Sequence, residues 1–126
     1  MKLCDMTFDE SRIAEMSIMP EAEKIMQDLE TVRLFDSLFI STAEIDVKTR
    51  VKDTKRLVKK MIHDHYESTC KIFASLNNTD VNKIKKWKRS EANKQLYEMF
   101  QDGDLITFFT SSEALAQAVE LDTSPK

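Results

Sequence analysis

Glycine is nearly absent from this chain, since its 126 residues include one glycine and two prolines. Tight turns between β-strands rely on glycine, so its scarcity predicts helices joined by polar loops. A P-loop needs two glycines, a dinucleotide-binding loop three and a nucleophile elbow two. Because Gly103 is the only glycine, these three kinds of site are excluded.

Cysteine and long apolar runs are also scarce. Cys4 and Cys70 are too few for a disulfide framework. No uncharged run approaches the roughly 18 residues that a membrane span requires, and Asp5 and Asp9 interrupt any apolar signal sequence at the start. We therefore expect a cytoplasmic protein with reduced thiols that does not contact a membrane.

The segment 41–76 has the strongest helical pattern. Apolar residues recur there at steps of three or four, starting from Val47 and Val51, which is the spacing of one helical face. Ser41 and Glu44 have the spacing of a capping box. A helix of this length is unusual in a compact domain, so residues 63–66 are a place where it can break. Residues 41–76 are thus expected to form one long central helix or a helix pair.

Flanking segments supply the remaining helices of an all-α fold. We expect a single compact bundle of five to seven helices over residues 1–126, with the first few residues and residues 121–126 frayed. The predicted starts are a capping box at Thr7 and Glu10, a first-turn proline at Pro20, and caps at Asp80, Ser90, Asp104 and Ser111 or Ser112. The helix after Thr7 is expected to end near Met16, with Ile13, Ala14 and Met16 as its apolar side.

Charge is unevenly distributed, although the net value is only −3. Residues 1–47 carry 4 Lys/Arg against 11 Asp/Glu (−7), residues 48–94 carry 14 against 5 (+9), and residues 95–126 carry 1 against 6 (−5). This layout predicts either acidic ends that pack on the basic middle or a basic face that is kept for an acidic partner.

Two basic runs form the candidate basic face. In residues 48–60 the lysines fall to one side of the apolar stripe, and in residues 83–89 a tryptophan lies among positive charges, as in proteins that stack single-stranded bases. Against nucleic-acid binding stand the acidic overall balance and the lack of a recognition-helix signature. The residues assigned to this face are Lys52, Lys55, Lys59, Lys85, Lys86, Trp87 and Lys88.

No catalytic or metal-binding constellation is evident. His63, His65 and Cys70 are the only metal-like cluster, and His65 lies about 200° from His63 around a helix. A zinc site would need further ligands, and Cys4 is the only other soft donor. We therefore expect no enzyme activity, no catalytic residue, no metal and no cofactor. The simpler interpretation makes His65 a buried, hydrogen-bonded side chain and Cys70 a small apolar one.

The apolar cluster Leu105, Ile106, Phe108 and Phe109 is the candidate partner-binding site. These side chains occupy nearly every side of a short helix, and a peripheral helix rarely buries all of its sides. Together with seven methionines, they suit a surface that adapts to an apolar helix of another protein. Burial in the core is the alternative interpretation.

Three short segments, residues 72–77, 79–84 and 104–111, carry a resemblance to a known family. They contain an apolar run that ends a helix, then Val81-x-x-Ile84, then Leu105-x-x-Phe108-Phe109. This order resembles that of the tail assembly chaperones of long-tailed phages and prophages. The acidic first segment, with Phe8, looks similar as well.

The resemblance implies a small, helical, non-enzymatic protein of the bacterial host cytoplasm. It would bind apolar segments of the tape-measure protein, keep them soluble and help to deliver tail-tube subunits. The favoured function is therefore a protein-binding chaperone or assembly factor in phage tail assembly. One alternative is a small regulatory protein that binds nucleic acid through the basic face, and another is an adaptor inside a host complex.

Overall fold

Residues 2–40 and 44–110 are the part of the chain that the computed structural model describes. Within these two ranges the chain forms seven α-helices and no strand, which confirms the predicted all-α bundle. The helices are preceded by a 3-10 turn at Leu3–Asp5, and π-helical turns extend α2 (Asp36–Ile40) and α3 (Lys60–Asp64). Their bounds are Phe8–Ile25 (α1), Leu29–Phe35 (α2), Val47–Lys59 (α3), Tyr66–Leu76 (α4), Val81–Lys85 (α5), Arg89–Phe100 (α6) and Gly103–Thr110 (α7).

The helices pack around one cluster of buried apolar residues. The helix α1 lies against α4, α4 contacts α5, and α2 pairs with α3. The helix α7 contacts α6, α1 and the 3-10 turn. The largest fully buried apolar side chains are Ile18, Ile25, Met26, Phe35, Leu57, Met61, Ile72, Leu96, Leu105 and Phe109.

The helix α1 begins as predicted but is longer than predicted. Its capping box is confirmed, because the Thr7 hydroxyl accepts a hydrogen bond from the Glu10 N–H and the Glu10 carboxylate accepts one from the Thr7 N–H. The predicted end near Met16 and the predicted second start at Pro20 are wrong, since α1 continues through Pro20 to Ile25. The missing hydrogen bond at proline is tolerated because the same helix buries a long apolar face. That face consists of Ala14, Ile18, Ala22 and Ile25.

The predicted long central element is a pair of helices. The predicted start at Ser41 lies outside the described residues, and residues 44–46 are not helical. Instead, the Asp46 carboxylate accepts a hydrogen bond of 2.6 Å from the Thr49 N–H and caps α3. The helix breaks at His65, whose backbone has φ −122° and ψ 33°. The predicted break within residues 63–66 is therefore confirmed.

The last described helices also differ from prediction at their starts. The helix α6 begins at Arg89, before the predicted cap at Ser90. The residue that caps α7 is Asp102 and not Asp104, because its carboxylate accepts a hydrogen bond of 3.3 Å from the Leu105 N–H. The second carboxylate oxygen of Asp102 accepts one from the Leu3 N–H. This bond holds the 3-10 turn at Leu3–Asp5. The fraying predicted for the first few residues stays a prediction. The helix predicted from Ser111 or Ser112 and the fraying of residues 121–126 lie outside the described residues.

Replacing Pro20 by alanine is expected to stabilise the protein. Pro20 is exposed well inside α1, where it cannot donate a hydrogen bond to the Met16 carbonyl. Alanine restores this bond and has the highest helix propensity, so the free energy of unfolding should rise by about 1–3 kcal/mol. Urea unfolding followed by circular dichroism measures the change. A rise below roughly 0.5 kcal/mol, the range of ordinary surface substitutions, would contradict this explanation.

Candidate docking groove

A groove of about 850 Å³ is lined by α1, the second half of α4 and the start of α5. This volume lies in the range of pockets that bury an extended ligand or a few anchoring side chains. Residues 6–21 form one wall and residues 71–81 the other. The apolar side chains that line it are Met6, Ile13, Ala14, Ala74, Leu76 and Val81.

Small residues on both walls explain why the groove is open. Ala14 and Ser17 line it from α1, and Ala74 and Ser75 line it from α4. Larger side chains at these positions would fill the space between the two helices. At the end of α4 the chain turns through Asn78, whose φ of 48° is in the left-handed region that asparagine tolerates. This turn sets the far end of the groove.

Apolar surface continues from the groove across the outer side of α1. Ile13 is 56% exposed, Met16 71% and Phe8 87%. Of the predicted apolar side of this helix, only Ala14 is buried. Single exposed apolar residues are common, but several on one helix beside an apolar groove indicate an interaction surface. We call the groove together with Ile13 and Met16 the α1 surface.

The carboxylate of Glu21 joins the two walls. It is buried and accepts hydrogen bonds from the Ser68 hydroxyl (3.0 Å) and from the Lys24 ammonium (3.3 Å). Because Ser68 belongs to α4 and Lys24 to α1, these bonds satisfy the charge where the two helices meet. Glu21 therefore stabilises the base of the groove.

A second polar feature, the Asp28 cluster, joins the start of α2 to the break between α3 and α4. Oδ2 of Asp28 accepts hydrogen bonds from Lys60 Nζ (2.8 Å) and Thr31 Oγ1 (3.0 Å) and lies 3.1 Å from His65 Nε2. The hydroxyl proton of Thr31 points to Asp28, and a carboxylate only accepts hydrogen bonds. Nε2 of His65 therefore carries a hydrogen and donates a hydrogen bond to Asp28. Lys60 also pairs with Asp64 at 2.9 Å.

The Asp28 cluster does not have the geometry of a nucleophilic triad. In a triad one imidazole nitrogen faces the hydroxyl and the other faces the carboxylate. Here the same nitrogen of His65 contacts both Thr31 and Asp28, and Thr31 is fully buried. His65 is half-buried and hydrogen-bonded, close to its predicted environment.

Electrostatics favour the ionised form of Asp28. Burial opposes ionisation, but the hydrogen bonds from Lys60 and Thr31 outweigh it and lower the pKa of Asp28 to about 2. The hydrogen bonds to Asp28 and Asp64 in turn raise the pKa of Lys60. The cluster therefore holds α2 against the end of α3 with charge-assisted bonds at neutral pH.

The four apolar residues predicted to bind a partner are divided by the fold. Leu105 and Phe109 are fully buried, and the Phe109 ring stacks on Phe35 with 4.8 Å between ring centres. Ile106 and Phe108 are half-buried and pack against the edge of the core. In this conformation Leu105 and Phe109 are inaccessible to a partner. A role for Ile106 and Phe108 in binding stays a prediction.

The basic residues of α3 form an exposed row. Lys48, Lys52, Lys55 and Lys59 are all exposed at the spacing i, i+4, i+7 and i+11, which places them on one side of the helix. Within the described ranges none of them pairs with an acidic side chain. We call these four residues the lysine ridge.

The second basic run is differently arranged. Lys85 pairs with Glu67 at 2.9 Å, whereas Lys86 and Lys88 are exposed. Trp87 is half-buried, and its ring centre lies 5.5 Å from that of Phe73. A base-stacking platform needs an accessible ring face. The packing of Trp87 on the core limits that access.

Cysteine, histidine and acidic side chains do not converge in the part of the chain that is described. No group of three or more of them there could hold a metal ion. Cys4 and Cys70 are free thiols, and burial raises the pKa of Cys70, which keeps it protonated. None of the described helices is long and apolar enough to cross a membrane.

No protein-family model, curated protein or solved structure matches this chain. The α1 surface therefore has to be interpreted from its own geometry. Sequence patterns did not indicate the groove, because its walls lie at least 50 residues apart and its lining mixes apolar with polar side chains. The one sequence signal for this surface was the number of apolar residues on α1. Ile13 and Met16 are present in addition to the residues of its buried face.

Replacing Asp28 by asparagine is expected to destabilise the protein at neutral pH and much less in acid. The folded-state pKa of about 2 lies below the ordinary value of 3.8. The stabilisation is therefore complete above about pH 4 and is lost as the pH falls through 2. The shift corresponds to about 2 kcal/mol at neutral pH.

Urea unfolding at neutral pH and near pH 2 measures this difference. Asp53→Asn is the matched control, since Asp53 has no ion pair with the described residues. It should leave stability nearly unchanged at both pH values. An equal loss for Asp28→Asn at both pH values would show that the ionised carboxylate is not the cause.

Phe109 and its neighbour Phe108 are expected to differ strongly on truncation. Phe109→Ala should lower the free energy of unfolding by about 3–5 kcal/mol, because it leaves a cavity beside Phe35. Phe108→Ala should cost less than half as much, since this side chain is only half-buried. Urea unfolding of the two variants in parallel makes the comparison. Equal losses would contradict the placement of α7.

Proposed function

We propose that this protein binds the apolar face of a helix in another protein and does not catalyse a reaction. The observation that carries the proposal is the α1 surface, where an open groove with six apolar and eight polar lining residues adjoins exposed Ile13 and Met16. Recognition of a helix in a groove uses apolar anchors at successive turns. Met6 and Met16 add side chains that adapt to stripes of different shape.

The polar groups near the core support a binding role over a catalytic one. Glu21 is satisfied by Ser68 and Lys24, and Asp28 by Lys60 and Thr31. A catalytic acid or base needs free access to a substrate proton. These carboxylates are instead engaged in holding helices together.

Within this class, we propose a tail assembly chaperone for a phage tape-measure protein, working in the bacterial host cytoplasm. The resemblance of residues 72–77, 79–84 and 104–111 to that family supports the assignment. The first two segments also supply much of the α4–α5 wall of the groove, including Ala74, Leu76 and Val81. A tape-measure protein presents long helices with apolar stripes, and the groove could take such a stripe segment by segment.

Nucleic-acid binding is the second candidate. The lysine ridge supports it, because its four lysines lie on one side of α3, pair with no described acidic side chain and could contact phosphates. The half-buried Trp87 and its contact with Phe73 count against base stacking. The groove has no use in this alternative, so a protein partner is favoured.

A labelled amphipathic helix of about 20 residues with a leucine stripe is expected to bind the protein. The double variant Ile13→Ser with Met16→Ser should weaken binding at least tenfold, because two exposed anchors of the α1 surface are lost. Fluorescence anisotropy measures the affinity. Leu29→Ser is the matched control, since Leu29 is equally exposed but lies on α2, away from the groove.

The same assay distinguishes the second candidate. A labelled single-stranded oligonucleotide replaces the peptide, and salt is titrated from a low concentration. Binding that weakens steeply with salt and is lost in Lys52→Glu with Lys55→Glu would favour nucleic acid. That result, combined with no peptide binding, would overturn the proposed function.

A further inference from the structure

The amino-terminal half of α3 has an exposed apolar edge. Val47 is 79% exposed and Val51 47% exposed, although both begin the apolar stripe that the sequence predicts to be buried. Around the helix, Val51 lies at about 40° from Val47 and the lysine ridge at about 80–140°, whereas Asp53, the one acidic residue of α3, lies at about 240°. This half of α3 therefore presents apolar surface directly beside a row of positive charge.

A cleft of about 310 Å³ borders the other side of this edge. Arg50 and Thr54 line it from α3, at about 300–340° around the helix from Val47. Its other described lining residues are Leu38, Phe39, Tyr97, Phe100 and Gln101. Arg50 is the only charged residue among them, and it has no ion pair with a described residue. We call the cleft together with Val47 and Val51 the α3 surface.

The described chain ends close to this cleft. Phe109, in the last turn of α7, stacks on Phe35 with 4.8 Å between ring centres. The Phe35 ring centre in turn lies 5.4 Å from that of Phe39, which lines the cleft. Three extended residues span about 10 Å, so the residues directly after Thr110 are within reach of the α3 surface.

The sequence after Thr110 has the character that this surface accepts. It predicts a helix from Ser111 or Ser112, with the apolar residues Ala114, Leu115, Ala118 and Val119 at the spacing of one helical face. Residues 111–120 contain two acidic residues, Glu113 and Glu120, and no Lys or Arg. In a helix both glutamates lie at about 140–160° from Leu115, on one side of the apolar face. An apolar face beside negative charge is complementary to an apolar edge beside positive charge.

Covalent attachment favours this segment over a free partner. A helix of residues 111–120 is roughly 15 Å long, and α3 is roughly 20 Å long, so the segment fits along α3. Because both belong to one chain, the effective concentration of the segment at the surface is on the order of millimolar. A small contact area is therefore enough to keep it bound.

We propose that residues 111–120 dock on the α3 surface of their own chain. Leu115 and Val119 cover the cleft and the exposed valines of α3, and the two glutamates face the lysine ridge. An acidic partner of the lysine ridge must then displace this segment before it binds. The α1 groove takes no part, so the docking does not depend on the proposed function.

Hydrogen exchange of the full chain, followed by mass spectrometry, tests the docking from the side of the segment. In the wild type the amides of residues 113–120 should exchange at least about tenfold more slowly than in Val47→Ser with Val51→Ser. Leu29→Ser is the matched control, since Leu29 is 53% exposed but lies on α2, and it should leave the protection unchanged. The protection should not depend on protein concentration, and it should fall at high salt because charge supplies part of the attraction.

Acetylation of lysines tests the docking from the side of α3. The double variant Leu115→Ser with Val119→Ser should raise the rates at which Lys52 and Lys55 react with acetic anhydride several-fold, because it releases the segment that covers them. Gln117→Ser is the matched control, since residue 117 lies at about 200° from Leu115 in a helix, away from the apolar face.

The second basic run supplies an internal reference for this labelling. Lys86 and Lys88 are exposed and lie outside the α3 surface, so their rates should be the same in all variants. Val47 and Val51 are exposed, so their replacement leaves the buried core intact, and the far-UV circular dichroism of that variant should keep its helical signal.

Three results would overturn the inference. The first is exchange of residues 113–120 in the wild type as fast as in a fully exposed chain. The second is protection and lysine reactivity that stay unchanged in both double variants, which would place the segment elsewhere. The third is protection that grows with protein concentration, which would show that the segment docks on another copy.

Discussion

Burial of the inner face of α1 against α4 is the constraint on which the rest of the structure depends. It keeps Ile18, Ala22 and Ile25 out of water, and this gain holds α1 helical through Pro20 despite the lost hydrogen bond. Because the helix does not end at Met16, the α1 wall of the groove extends to Ser17 and Glu21. The same packing, with small residues on both walls, leaves the groove open. The candidate site is thus a consequence of how the core is built.

The Asp28 cluster determines which helices share that core. By fixing Lys60 and His65 to the start of α2, it holds the chain at the point where α3 ends and α4 begins. The helix α3 therefore packs on α2, while α4 packs on α1. An unbroken helix over residues 47–76 would have kept α3 and α4 collinear. The break separates the lysine ridge from the groove walls within a single molecule.

Features set by neighbouring residues could be predicted from the sequence, and features set by distant ones could not. The capping box of Thr7 and Glu10 depends on a spacing of three, and the break near His65 follows from the length of the periodic segment. The continuation of α1 through Pro20 depends on the apolar face that α1 buries against α4. The fate of Phe109 depends on Phe35, which lies 74 positions earlier and stacks on it. Apolar periodicity identifies the apolar face of a helix. It does not reveal whether another helix of the same chain or a second protein covers that face.

One of the two interpretations of the charge layout is seen at α2 and α3, and a basic face that is kept for an acidic partner stays a prediction. Acidic residues of the first third do pack on the basic middle at α2 and α3, where Glu30 pairs with Arg56 at 2.6 Å and Asp28 with Lys60 at 2.8 Å. These pairs use the side of α3 that faces α2. The lysine ridge occupies another side and is left without a described acidic neighbour. The ion pairs therefore account for the basic residues that face α2 and not for the lysine ridge.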